Sequence, residues 1–303
     1  MSAVSAAPRE QTRARYPDED GFVERDGVRL FYEVYGQGEP TVFLLPTWSI
    51  IHSRHWKMQI PYLARHYRVA TFDGRGNGRS DRPETGYDER EFAADALAVM
   101  DATGTERAVL VSLSMGAQRA LLLAAEEPER VDGAVFICPS VALGKPLAAR
   151  TIIARWDEEL ESDEGWAKYN RHYWLRDYRG FLEYFFSQMF TEPHSTKPIE
   201  DCIGWALETT PETLIATQLG ETLDADATLA LSARVHCPVL VIVGTDDAIT
   251  GPGRGIALAE ATGGELVALE GSGHGPHVRD PVKVNLLIRD FVESLERRPA
   301  WPS

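Results

Sequence analysis

Apolar positions along this chain follow two rhythms. Short continuous runs lie at Thr41–Leu45, Arg68–Phe72, Ala108–Ser112, Gly133–Cys138, Pro238–Val243 and Glu265–Leu269. They are rich in Val, Ile, Leu and Phe with little alternation, the pattern of strands buried on both faces of a parallel sheet. Upstream, "FVERDGVRLFYEVYG" predicts two strands joined by a turn at Asp26-Gly27. Between the runs, apolar residues recur at helical spacing, which predicts helices over about His55–Arg65, Glu89–Thr103, Gly116–Glu126, Gly253–Thr262 and Pro281–Glu296. Strands alternating with helices in this way predict an α/β sheet with helices on both faces. From Gly144 to Thr228 the alternation stops. No strand-like run occurs there, and helical patterns thick in aromatic residues take its place ("WDEELESDEGWAKYNRHYWLRDYRGFLEYFFSQMF", "IEDCIGWALE"). This 85-residue stretch between two core strands reads as a helical lid over one end of the sheet.

Composition narrows the partners. The chain has 303 residues, enough for one large domain or a core with an insertion. Its net charge of −15 argues against nucleic acid, because phosphate binding needs clustered Lys and Arg. No apolar run approaches the roughly 18–20 residues of a membrane span, so no membrane partner is expected. Residues 1–20 lack the apolar core of a secretory signal and read as a flexible tail. Cys138, Cys202 and Cys237 are scattered without metal-ligand spacing, which fits a reduced, cytoplasmic setting.

The candidate chemistry starts in "VLVSLSMGAQ", residues 109–118. An apolar strand there breaks into two serines and a glycine, then resumes as an Ala/Leu-rich helix. An ordinary turn fits that pattern, and so does a corner built to hold one hydroxyl at its tip. A nucleophile on such a corner needs small residues two before and two after it. Ser114, between Ser112 and Gly116, meets this requirement; Ser112, preceded by Leu110, does not. A helix opening just after Ser114 aims its positive end at an oxyanion formed there. Serine is a poor nucleophile without a base, and the base needs an orienting carboxylate. "GTDDAIT" supplies two acids after a buried run, and "GSGHGPH" supplies histidines in a Gly-rich loop after the last run. All three then lie at strand ends on one sheet edge, where α/β proteins bind ligands.

With these residues the chain resembles the α/β-hydrolase superfamily, in its lidded esterase, lactonase and epoxide-hydrolase-like branch, from roughly Phe22 to Glu296. The resemblance rests on "VSLSMG", "FDGRGNGRSDRP", "GTDDAIT" and "GSGHGPH". It implies a mostly parallel eight-stranded sheet flanked by helices, with a helical lid inserted after the sixth strand. The corresponding division is a tail at 1–20, a core at 21–143 and 229–297, and a lid at 144–228. It also implies Ser114 as nucleophile, His274 as base with His277 as competitor, and Asp247 as orienting acid with Asp246 in reserve. The family's other acid position, after the preceding strand, reads "CPSVALG" here and holds no carboxylate. A serine rather than an aspartate at the corner disfavours epoxide-hydrolase and dehalogenase chemistry.

One departure stands out. The family usually carries His-Gly after its third strand, followed by a backbone donor to the oxyanion. Here Pro46-Thr47 replaces His-Gly, which makes Trp48 and Met115 the implied donors. Thr47 cannot reach the backbone conformations open to glycine. "DGRGNGRS" has the wrong spacing for a dinucleotide loop and reads as a structural turn. His52 and His55 lack a third metal ligand and read more often as surface or turn residues, with the alternative that one of them faces the pocket. The lid aromatics read mostly as lid core, with a minority lining an apolar substrate cleft.

The reading that follows is a serine hydrolase cleaving a small-molecule carboxylic ester or lactone with an apolar portion, using no metal and no organic cofactor. The same three side chains could also serve thioester or C–C bond hydrolysis or acyl transfer. An alternative of another class is a small-molecule sensor that keeps the fold without turnover.

Overall fold

A computed structural model describes residues 14–296. Eight strands form one sheet: β1 (Glu19–Arg25), β2 (Val28–Tyr35), β3 (Val42–Leu44), β4 (Val69–Phe72), β5 (Ala108–Leu113), β6 (Val131–Ile137), β7 (Val239–Gly244) and β8 (Glu265–Leu269). Their spatial order is β1-β2-β4-β3-β5-β6-β7-β8. β1 pairs antiparallel with β2, and β2 with β4; every later pairing is parallel. The β1–β2 hairpin closes at Asp26 and Gly27, both at positive φ (51° and 79°), as a two-residue turn requires. The expected tail lies outside the described residues up to 13, and β1 already pairs from Glu19.

The strand order places the site. From β3 the chain steps outward to β4, then crosses back to β5 on the other side of β3 and continues to β8. That reversal makes the ends of β3 and β5 the topological switch point, the place where open α/β sheets bind ligands. Every residue of β3, β4, β5 and β7 is buried. Alternate side chains divide the core: Val109, Val111, Val135 and Ile242 face one layer, and Leu110, Ala134, Phe136 and Val241 the other. The helices Glu89–Ala102 and Gly116–Glu126 cover the second layer, and Pro281–Glu296 covers the first.

Between β6 and β7 the described chain is helical, including Arg171–Arg176, Tyr178–Met189, Thr196–Ala206, Pro211–Gln218 and Ala225–Ser232. The last of these spans the boundary drawn at residue 228, and Leu231 packs with the core layer beneath the Gly116–Glu126 helix. The helix expected at His55–Arg65 divides into a turn of 3-10 helix at Ser53–Trp56 and a short α-helix at Ile60–Leu63, whose second residue is Pro61. Among the described residues, no helix is long and apolar enough to cross a membrane.

Candidate active site

Ser114 stands at the C-terminal end of β5 in the left-handed region, φ 53°, a conformation that a non-glycine residue adopts at a cost and that clusters at functional sites. The corner is held from both sides. Ser114 N–H donates to Ile137 O at 3.0 Å, and its carbonyl accepts from Ala117 N (3.0 Å) and Ser140 N (2.9 Å). The requirement for small neighbours has a visible cause. A Cβ on Gly116 would lie 2.7 Å from Pro46 O, so only glycine lets the loop after β3 pass the helix start. Ser112 is fully buried and donates its hydroxyl to Val135 O at 3.1 Å.

Asp247 and His274 meet across the ends of β7 and β8. His274 Nδ1 lies 2.9 Å from Asp247 Oδ2, and both residues are buried. Asp247 Oδ1 accepts from the N–H groups of Ile249 (2.8 Å) and Thr250 (3.0 Å), while Oδ2 also accepts from Thr250 Oγ1 at 2.6 Å. Burial pushes this carboxyl up, but His274 and the Thr250 donors outweigh it and hold it well below the usual carboxylate range. The loops can meet because Gly244 has no side chain: a Cβ there would lie 2.3 Å from the carbonyls of Ser272 and Gly273. Asp246, the reserve acid, is exposed; its carboxylate accepts from the neighbouring Thr245 hydroxyl at 3.2 Å and its backbone carbonyl from Thr191 Oγ1 at 3.4 Å.

His277, the competing base, turns the other way. It is fully buried, with Nε2 3.2 Å from His55 Nδ1, and its carbonyl accepts from Gln59 Nε2 at 2.7 Å. Burial, with a smaller contribution from His274, pushes it down to about 3, which makes it a very weak base at neutral pH. His52 caps the 3-10 turn at Ser53–Trp56 and His55 lies in it, in line with the turn alternative, but both are buried rather than at the surface. The cause is that the segment after β3 runs inward beneath the Gly-rich turn, where Asn77 Nδ2 donates to Ile51 O and Asp73 accepts from Ser53. The "DGRGNGRS" stretch is itself such a turn, with Arg75 Nε and Nη2 each 2.7 Å from Asp95.

The two implied oxyanion donors flank the corner. Among the described residues, neither Trp48 N–H nor Met115 N–H donates a hydrogen bond, and Ser114 Oγ and His274 Nε2 are likewise unengaged. Trp48 is buried and Met115 half-buried; an unpaired N–H on a buried residue such as Trp48 is uncommon. The Trp48 ring reaches into the helical segment. Its Nε1 donates to Thr217 Oγ1 at 2.9 Å, and its ring stacks on Tyr169 with centroids 5.7 Å apart. Trp174, Phe181 and Phe185 complete the cluster.

Sequence reasoning missed several supports. Cys138, at φ 43°, brings Sγ within 4.8 Å of both the Asp247 carboxylate and a His274 ring nitrogen. Burial, then the Asp247 charge, hold this thiol well above its usual range, so it stands beside the pair as a neutral group. The helical segment grips the histidine loop through His274 N to Met189 O (3.0 Å) and Gly273 N to Glu192 Oε1 (2.9 Å). None of these had a sequence signal, because each depends on which loops touch.

The family model described as the alpha/beta hydrolase fold matches residues 40–281. The chain is 38% identical over 116 residues to a non-heme chloroperoxidase of Streptomyces lividans, a match spanning 37% of this chain and 41% of that protein. Among solved structures, Est816, described as an N-acyl homoserine lactone degrading enzyme, superposes with a TM-score of 0.72 at 26% identity, over 89% of this chain and all of that one. The esterase RhEst1 from Rhodococcus sp. ECU1013 does so with a TM-score of 0.75, also at 26% identity, over 91% of this chain and 98% of its own.

Proposed function

Because this chain belongs to the α/β-hydrolase family and is an enzyme of the carboxylic ester hydrolase type, we propose that it cleaves a carboxylic ester or lactone with an apolar portion through Ser114, His274 and Asp247. The observation that carries this reading is the buried 2.9 Å contact between His274 Nδ1 and Asp247, at strand ends beside a serine in a strained corner. In the first step His274 Nε2 takes the Ser114 proton as Oγ bonds to the substrate carbonyl carbon. The hydrogen bond this needs is often long until substrate arrives. Asp247 holds the ring in the tautomer that leaves Nε2 open and balances the imidazolium that forms. The carbonyl oxygen becomes an oxyanion facing the N–H groups of Trp48 and Met115. When the intermediate collapses, the C–O bond breaks and His274 returns its proton to the leaving alcohol. Water deprotonated by His274 then attacks the acyl-enzyme, releasing the acid and restoring Ser114.

The aromatic cluster around Trp48 supports an apolar substrate, and the helical segment from 144 to 228 takes the part of a lid over the switch point. The lactone-degrading and esterase relatives support ester or lactone over thioester, C–C or acyl-transfer chemistry. The test is intact-mass analysis after incubation with a fluorophosphonate, wild type beside Ser114→Ala. One adduct on the wild type and none on the variant supports the reading; no adduct on either overturns it. A panel of esters and lactones then assigns the substrate.

A further inference from the structure

Five residues after Ser114, on the helix Gly116–Glu126, sits an arginine that is 1% exposed. Its guanidinium is engaged on both edges. Arg119 Nη1 donates to Pro46 O at 2.8 Å and to Thr47 O at 2.6 Å. On its other edge Nε and Nη2 reach the buried Glu89 carboxylate at 2.9 and 3.4 Å, and the charge lies 3.7 Å over the Phe92 ring. Burying a charged pair is costly, so a pair spent on two loop carbonyls needs a reason beyond stability.

Peptide geometry supplies it. In a trans peptide the C=O of one residue and the N–H of the next point in opposite directions. The only cis bond among the described residues is Glu39-Pro40. Pinning Pro46 O and Thr47 O toward Arg119 therefore turns the N–H groups of Thr47 and Trp48 away from it. Neither of those N–H groups is used within the described residues. The same helix carries Met115 at its N-terminus, so one side chain fixes the loop donor relative to the helix donor. The missing glycine at Thr47 is answered here by a clamp: the loop's direction is set from behind by a fork rather than by the backbone freedom of its own residues.

We infer that Arg119, held in place by Glu89, is the positioning residue of the oxyanion site and sets the direction of the Trp48 N–H. This rests on the proposed serine-hydrolase reading. Lysine keeps the charge but has no planar fork, so one ammonium cannot span the loop carbonyls on one edge and the Glu89 carboxylate on the other. The experiment follows fluorophosphonate inactivation of wild type, Arg119→Lys and Glu89→Gln, separating the maximal inactivation rate from the half-saturating probe concentration, with folding checked by circular dichroism. Arg119→Lys is expected to lower the maximal rate about 10²-fold, the scale of one lost oxyanion donor, with the half-saturating concentration within about threefold. Glu89→Gln keeps the fork but loosens its anchor, and is expected to lower the rate less, with the same split. A structural role alone would lower the amount of folded protein and leave both constants unchanged per folded molecule. Wild-type constants in folded Arg119→Lys overturn the inference and leave the Ser114 reading standing. Should Arg119→Lys not fold, Glu89→Gln decides by the same split. Absence of a Ser114 adduct on the wild type overturns both.

Discussion

The loops at the ends of β5, β7 and β8 and the helical segment between β6 and β7 face each other over these strand ends, yet they are held by different forces. In the loops the order is directional: Asp247 accepts four contacts, and glycines at 116 and 244 stand where a Cβ would strike backbone. In the helical segment the order is collective. Trp174 meets Trp48, Trp156, Tyr169 and Phe181 within 6.2 Å between centroids, and no single contact defines its place. Directional networks fail at one atom, whereas packed rings fail by volume. Substitutions in the two regions should therefore differ in kind.

The largest effect belongs to Ser114→Ala, with a fall in turnover on the order of 10⁶-fold, the scale seen when a triad nucleophile is removed. Its melting temperature is expected to stay near that of the wild type, since the hydroxyl bonds nothing among the described residues. A large loss of stability would place the residue in the structural network instead. Next comes Asp247→Asn, at about 10⁴-fold in kcat, because an amide stabilises the wrong imidazole tautomer. Cys138 offers a way to sharpen that result. Its Sγ is close enough to the acid–base pair that Asp247→Ala with Cys138→Asp should regain part of the activity lost in Asp247→Ala alone, measured as kcat on the same ester.

For the helical segment the expected change is in stability. Trp174→Ala empties a fully buried ring site and should cost about 3–5 kcal/mol by urea denaturation. Trp174→Phe keeps most of the volume and should cost much less. If the two cost the same, the Trp174 indole N–H to Lys168 O contact (3.0 Å) carries the site rather than its packing, and the contrast between the regions fails.

That contrast also explains what the sequence made legible. Continuous apolar runs located six strands, although β8 at the sheet edge is mostly exposed rather than buried on both faces, and the spacing of small residues singled out Ser114 over Ser112, because both signals are local in the chain. Asp247 and His274 were legible as types at the right strand ends. Their separation from Asp246 and His277 came from the resemblance and is supported by geometry that no spacing encodes. Arg119 was invisible for the same reason. On a helix it reads as a surface cation, and only the approach of the loop after β3 makes it a buried fork. His52 and His55 stand at a turn as one alternative had it, but their burial was not legible because it depends on the Gly-rich turn after a different strand closing over them.

The smallest effect tests the division within a single loop, where His274 and His277 stand three residues apart. His277 is held down to about 3 by burial first and by His274 second, against 6.5 for a free imidazole. Below pH 6.5 the unfolded chain therefore binds a proton that the folded one refuses. The resulting stability is complete above pH 6.5 and is lost as pH falls toward 3, at up to about 1.4 kcal/mol per pH unit. His55, depressed in the same direction by burial, adds to this slope. In His277→Gln one titrating group is gone, so urea midpoints at pH 7, 5.5 and 4.5 should fall less steeply than in the wild type. At pH 7 the variant should lose about 1 kcal/mol for its hydrogen bond to His55, while fluorophosphonate labelling of Ser114 persists. Parallel slopes would mean that His277 is not the buried neutral ring behind this loop. Loss of labelling in a folded variant would return it to contention as the base, since the two histidines would then no longer divide packing from chemistry.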